Sequence, residues 1–195
     1  MKQFIKILLR EGLMRERETL DSISNLILLT KNLRSDGGTF LLYNPEIGEP
    51  VGYIAFGGYD NSDILGVYGA FSEHGYGPLL YEMAMTYIYP NGLSPSQDGS
   101  TSGDALYVWD RFANRGDIKK EKITGSEPSE FEKEVTNMDY EIDDYMRQQI
   151  GLLRTKFIYT FGKDKLMKII GIGKEYASKN NISDDDIEHM TWDLE

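Results

Sequence analysis

Ile64-Leu65-Gly66-Val67-Tyr68-Gly69-Ala70, then Phe71-Ser72-Glu73-His74-Gly75-Tyr76-Gly77-Pro78, then Leu79-Leu80-Tyr81-Glu82-Met83-Ala84-Met85-Thr86-Tyr87 is the stretch that decides the fold. The first piece is apolar, aromatic and lightened by glycine, which reads as a strand. In the last, Leu79, Leu80, Met83 and Tyr87 share one face at helical spacing. Pro78 suits a first helical turn, where a missing N–H costs nothing. Between them the chain turns from strand to helix with Gly75 and Gly77 on either side of Tyr76. Glycines let an anion approach the main chain, and the amides of such a turn and of the first helical turn point at one place. The unit therefore reads as a backbone cradle for a pyrophosphate that needs no basic side chain. The same residues also suit a plain tight turn. There is no Gly-Lys-Ser/Thr, which argues against a P-loop, and a third fingerprint glycine is missing, which argues against a dinucleotide fold.

Working outward, Thr39–Tyr43 and Val51–Phe56 read as strands around the turn-rich 44–50 connection, an antiparallel hairpin preceding the decisive strand. Residues 1–34 read as amphipathic helix, with Phe4, Ile5, Leu8, Leu9 and Leu13, then Leu20, Ile23 and Ile27, and also Leu26, Leu29 and Leu33, at three- and four-residue spacing. Downstream, Leu93-Ser94-Pro95 is a short extended piece, and Ser102 caps a helix running through Ala105, Val108, Trp109 and Phe112. Residues 117–147 carry ten acidic against five basic groups and read as a solvated connection with some helix. Lys156–Phe161 reads as a late strand, Lys165–Lys179 as a helix, and Ser183 as the cap of a last short one. The expected organisation is N-terminal helices over 1–34, an α/β (α+β) core over 35–162 and a helical extension over 163–195.

Composition limits the chemistry. The 195 residues contain no cysteine and two distant histidines, His74 and His189, which excludes a disulfide scaffold, a cysteine nucleophile and a His- or thiolate-based metal site. No apolar run approaches the roughly 20 residues of a membrane span, and Lys6 interrupts the only stretch resembling a signal peptide, so a cytoplasmic protein is expected. The net charge is −11, with residues 1–34 at +3 and the remainder at −14. An acidic body disfavours nucleic acid as a partner.

The order hairpin, strand, Gly-x-Gly turn, helix, short strand, helix resembles the GNAT superfamily of N-acetyltransferases. Ser72-Glu73-His74-Gly75-Tyr76-Gly77 is similar to its Gln/Arg-x-x-Gly-x-Gly/Ala motif, with Ser72 in the Gln/Arg place. Gly92-Leu93-Ser94-Pro95, Ser102-x-x-Ala105-x-x-Val108-Trp109 and Asn114-Arg115-Gly116-Asp117 resemble GNAT-related proteins of bacteriophages, and the resemblance spans roughly residues 39–115. It implies a mainly antiparallel sheet flanked by helices and acetyl-CoA as co-substrate, held by Phe71, Ser72, Glu73, His74, Gly75, Tyr76 and Gly77. It also implies a splay between the fourth and fifth strands that takes the pantetheine arm, and direct attack by an amine of a small molecule or protein. Where the family often presents a tyrosine acid this chain has Trp109, and the nearby Tyr107 is the candidate acid. Asp63, with Asp60, is the candidate base acting through water. The alternative expectation is a non-catalytic GNAT-fold phage protein acting in the virion or on a host protein. Phe4–Glu11 also loosely resembles a prohead-targeting leader, beside the plainer reading as an amphipathic helix.

Overall fold

The structure, a computed structural model, describes residues 19–58, 64–73, 75–95, 101–123 and 151–194. Four strands form an antiparallel sheet in sequence order: β1 (Ile27–Arg34), β2 (Gly37–Asn44), β3 (Glu49–Gly58) and β4 (Leu65–Ser72). Helix α1 (Gly77–Ile88) follows, then α2 (Gly103–Ala113), a hairpin of β5 (Lys119–Lys122) and β6 (Thr155–Ile158), and helices α3 (Lys163–Asn180) and α4 (Asp184–Trp192). The fold is thus mixed α+β around an antiparallel sheet.

The sheet is buried on both faces. Leu28, Phe40, Leu42, Ile54, Phe56 and Val67 face a large core shared with α1 and α2. Leu29, Leu41 and Tyr53 face Ile187 of α4, with Tyr176 and Ala177 of α3 packed alongside. Two-sided burial explains the first correction to the sequence reading. Residues 19–26 run as turns and residues 27–34 are a strand, not the end of a helix. A strand covered on both faces has no polar face, so it reads as a continuous apolar run, and Ile27-Leu28-Leu29 followed by Leu33 mimics helical spacing. The Ser35–Asp36 turn then folds β1 directly against β2, with Leu29 opposite Leu41. The helices expected over residues 1–18 lie outside the described residues. A second correction falls in the acidic connection: Lys119–Lys122 is strand β5, and its charged side chains are mostly exposed because the strand is an edge. Residues 124–147 lie outside the described residues.

Single-residue bridges tie the sheet to the hairpin. Gly66 of β4 pairs in parallel with Ser94, and Leu93 pairs antiparallel with Phe157 of β6. The spatial order is β1-β2-β3-β4, the 93–94 segment, β6, β5. On the far side, α3 lies so close to β1 that a Cβ on Gly173 would stand 1.8 Å from the Leu28 carbonyl oxygen.

Helix α4 is fixed by its own start. The Ser183 hydroxyl accepts from the Asp186 N–H at 3.2 Å, and the Asp186 carboxylate accepts from the Ser183 N–H at 2.7 Å and its hydroxyl at 2.6 Å. These bonds, the hydroxyl's first, hold the Asp186 carboxyl below its ordinary value of 3.8. A depressed carboxyl contributes stability above its unfolded value and loses it as pH falls through the folded one. A Ser183→Ala variant should therefore melt below the parent at pH 6 by circular dichroism, and the gap should narrow as pH falls below 3.8, leaving the part due to the lost cap on the Asp186 N–H.

Candidate functional site

Strand β4 changes character along its length. Leu65, Gly66 and Val67 are buried, whereas Tyr68, Ala70 and Phe71 are exposed. At its start it is a central strand: the Ser94 N–H donates to the Leu65 carbonyl at 2.8 Å, and the Ser94 hydroxyl donates to the same oxygen at 3.1 Å. Past this bridge no strand lies beside it among the described residues, although β3 continues to pair on its other side as far as Ser72. Backbone groups in a ladder alternate sides. The Glu73 N–H donates to Val51 at 2.9 Å, toward β3. Phe71 therefore also points its amide and carbonyl at β3, and Ala70 and Ser72 point theirs at the open edge.

A cavity of about 340 Å³ occupies that edge. One wall is β4 from Val67 to Phe71, another is Tyr81 of α1, and a third is Thr101, Ser102, Ala105 and Trp109 at the start of α2. Its lining contains no charged side chain among the described residues. Ser102 caps α2 by accepting the Ala105 N–H at 3.3 Å, so the sequence signal that starts this helix also shapes the wall. The Thr101 hydroxyl oxygen is shielded from solvent with no hydrogen-bond partner among the described residues, a cost a bound acceptor or donor would remove. Burial pushes the Tyr81 hydroxyl up to about 12, so it keeps its proton at neutral pH and is a donor.

At the end of β4 the chain turns into α1. Gly75 has φ +87°, a left-handed conformation that glycine adopts without a steric penalty. The Tyr76 N–H donates to Glu73 at 3.3 Å and closes the turn. Among the described residues no side chain caps α1, and no acid stands in its first turn. Its first internal bond is Leu80 N–H to Tyr76, and Pro78 has no N–H, so the amides of Gly77 and Leu79 have no partner within the helix. A Cβ on Gly77 would sit 3.1 Å from the Ser72 hydroxyl, so strand end and helix start touch.

Of the residues singled out from sequence, Phe71 lines the cavity, and Ser72 and Gly77 meet where β4 passes into α1. Glu73 ties β4 to β3, Gly75 makes the turn, and Tyr76 packs on the core. His74 and Asp63 lie outside the described residues. Tyr107 is not brought to the cavity. It is 59% exposed, with the Arg111 guanidinium 5.9 Å from its ring, while Ser102, Ala105 and Trp109 hold the cavity side of α2. Trp109 is 1% exposed and part of the core as well as the wall. The sequence reading missed Tyr81 and Thr101. Tyr81 falls off the apolar stripe of its helix, and only the burial of α1 nearly all round brings it inside. Thr101 carries no signal beyond its place before a cap.

No protein-family model, curated protein or solved structure matches this chain.

Proposed function

We propose that this chain is a GNAT-like, acyl-CoA-dependent N-acyltransferase that uses acetyl-CoA to acylate an amine. The observation that carries the reading is strand β4, half-paired among the described residues, whose edge borders a cleft with no charged side chain among those residues, near a glycine turn and a helix start that no described side chain caps. The strand order and the parallel contact limited to the start of β4 support the same reading. The Ala70 and Ser72 backbone groups suit the amides of a pantetheine arm. The Gly77 and Leu79 amides suit its pyrophosphate, which an acidic protein with no basic cleft side chain among the described residues would otherwise repel.

In the transfer, the neutral amine nitrogen attacks the thioester carbonyl and forms the amide carbon–nitrogen bond, the carbon–sulfur bond breaks and the thiolate leaves, and the nitrogen gives up its proton to water. Tyr81 suits the thiolate as a hydrogen-bond donor. It is not the net proton source, because a thiol near 8.5 is the stronger acid by about 3.5 pK units, which leaves reprotonation to solvent. Positioning supplies most of the remainder. The described lining holds no carboxylate or histidine, which favours a non-catalytic relative as the second reading.

Calorimetric titration with acetyl-CoA, repeated on a Gly77→Glu variant, separates them. Gly77→Glu places a carboxylate at the helix start, and the expected result is micromolar binding weakened at least about 100-fold in the variant, the equivalent of ~2.7 kcal/mol. Absence of binding to folded parent protein would sink both the acyl-CoA site and the enzyme.

A further inference from the structure

A second cavity, of about 210 Å³, lies on the α4 face of the sheet and shares Tyr53, Tyr68 and Gly69 with the cleft. Its floor is one row of directly opposed residues. Lys31 is opposite Thr39, Thr39 opposite Ala55, and Ala55 opposite Gly69. Thr39 and Ala55 are small and leave a trough, and at its β4 end the Tyr53 ring lies over Gly69, where a Cβ would stand 2.9 Å from the Tyr53 hydroxyl. The row spans three strand spacings, about 14 Å. Glu188, Thr191 and Trp192 of α4 line its other side.

The two ends differ. At one end, Gly69 and Tyr68 belong to the half-paired strand, where the thioester would lie. At the other, the Lys31 ammonium donates to Glu188 Oε2 at 2.5 Å. Oε1 of Glu188 takes no hydrogen bond among the described residues, and the Glu188 side chain is 43% exposed against 16% for Lys31, so the carboxylate is the accessible partner. The Asn32 N–H donates to Asp184 at 3.3 Å, which pins α4 over the trough. Of the four acids of α4, Glu188 alone lines the trough and shares its charge with the Lys31 ammonium, while Asp184, Asp185 and Asp186 at the helix start add a negative field with no Lys or Arg on the helix to offset it. Tyr68 and Trp192, 50% and 58% exposed, are large aromatic surfaces that water does not favour leaving bare and that attract cations.

We infer that this trough is the acceptor channel and that it takes a free aliphatic di- or polyamine. The reacting amine reaches the edge of β4 over Thr39 and Ala55 and past the Tyr53 hydroxyl, which both cavities share, and the distal ammonium binds Glu188 Oε1 against the ring of Trp192. This inference rests on the acyl-CoA reading of the cleft.

The chain has two tryptophans, and each lines one cavity: Trp109 the cleft, Trp192 the trough. Emission of the Trp109→Phe protein then reports the trough alone, and that of Trp192→Phe the cleft alone. Spermidine should change Trp192 emission saturably. Nα-acetyl-lysine amide, a protein-type lysine with no second charge, should bind at least tenfold more weakly at equal ionic strength. Glu188→Gln should weaken spermidine at least fivefold while acetyl-CoA affinity stays within twofold. If spermidine gives no saturable change, or binds no better than the lysine amide, while acetyl-CoA still alters Trp109 emission, the channel assignment is overturned and the cleft reading stands. If spermidine binds and acetyl-CoA does not, the trough is an amine site without a donor, and its role as an acceptor channel is overturned together with the cleft reading.

Discussion

An Arg115→Met variant is expected to unfold about 6–12 °C below the parent protein, a loss of about 3 kcal/mol. Glu82 sits on α1 with its side chain 3% exposed, and the Arg115 guanidinium bridges it to Asp117, 2.6 Å from the latter. The same guanidinium lies 5.5 Å from the Phe112 ring centroid and 4.9 Å from that of Tyr159. Burial acts to lower its pKa, but the hydrogen bonds and charges of Asp117 and Glu82 together raise it by more, so it remains charged at every accessible pH. Taking the cation from a carboxylate this deeply buried leaves the desolvation cost while removing much of the compensation. The double variant Glu82→Gln, Arg115→Met should recover more than half of the lost stability, because it removes the buried charge itself. Equal losses in the single and double variants would show that the aromatic contacts of Arg115, not its charge, hold the site. Since Glu82 adjoins Tyr81 and Arg115 follows α2, this bridge ties together two walls of the cleft.

Trp109→Ala is expected to cost about 3–5 kcal/mol, the range for removing a large buried aromatic. Trp109 meets Tyr81 and Phe112 edge-on at 5.0 and 5.9 Å between ring centroids, and Phe157 at 5.0 Å. One side chain thereby joins α1, α2 and β6, the parts that the single bridges at Leu93 and Ser94 connect only thinly. Denaturant unfolding should show the loss at unchanged m-value. Trp109→Phe, which keeps an aromatic in the same place, should lose less than half as much. A loss under 1 kcal/mol in the alanine variant would mean that α2 packs independently of the rest.

Much of this architecture was legible in the residues. The β2–β3 hairpin and the glycine turn were marked by local chemistry, in which turn residues interrupt apolar runs. The Ser102 and Ser183 caps were legible for the same reason, since a cap is a bond between neighbours in sequence. β1 was misread because its apolar residues serve two faces at once, and periodicity distinguishes helix from strand only where one face is wet. β5 was hidden because Lys119-Lys120-Glu121-Lys122 has no apolar side at all; Glu121 pairs with Lys119 and, across the hairpin, with Lys156. The cleft was legible only as a glycine loop. Its walls come from residues far apart in the chain, such as Tyr68, Tyr81 and Thr101, and no local signal joins them.

The half-paired β4 has a consequence for handling the protein. A strand edge left unpaired among the described residues, beside exposed Tyr68 and Phe71, is a template on which another chain can add a strand. The register shift between Ala55 and Phe56 twists the ladder there and makes such stacking harder. Any molecule that occupies this edge competes with self-association, so at high protein concentration such a ligand acts as a solubiliser, and light scattering at rising concentration reports its occupancy.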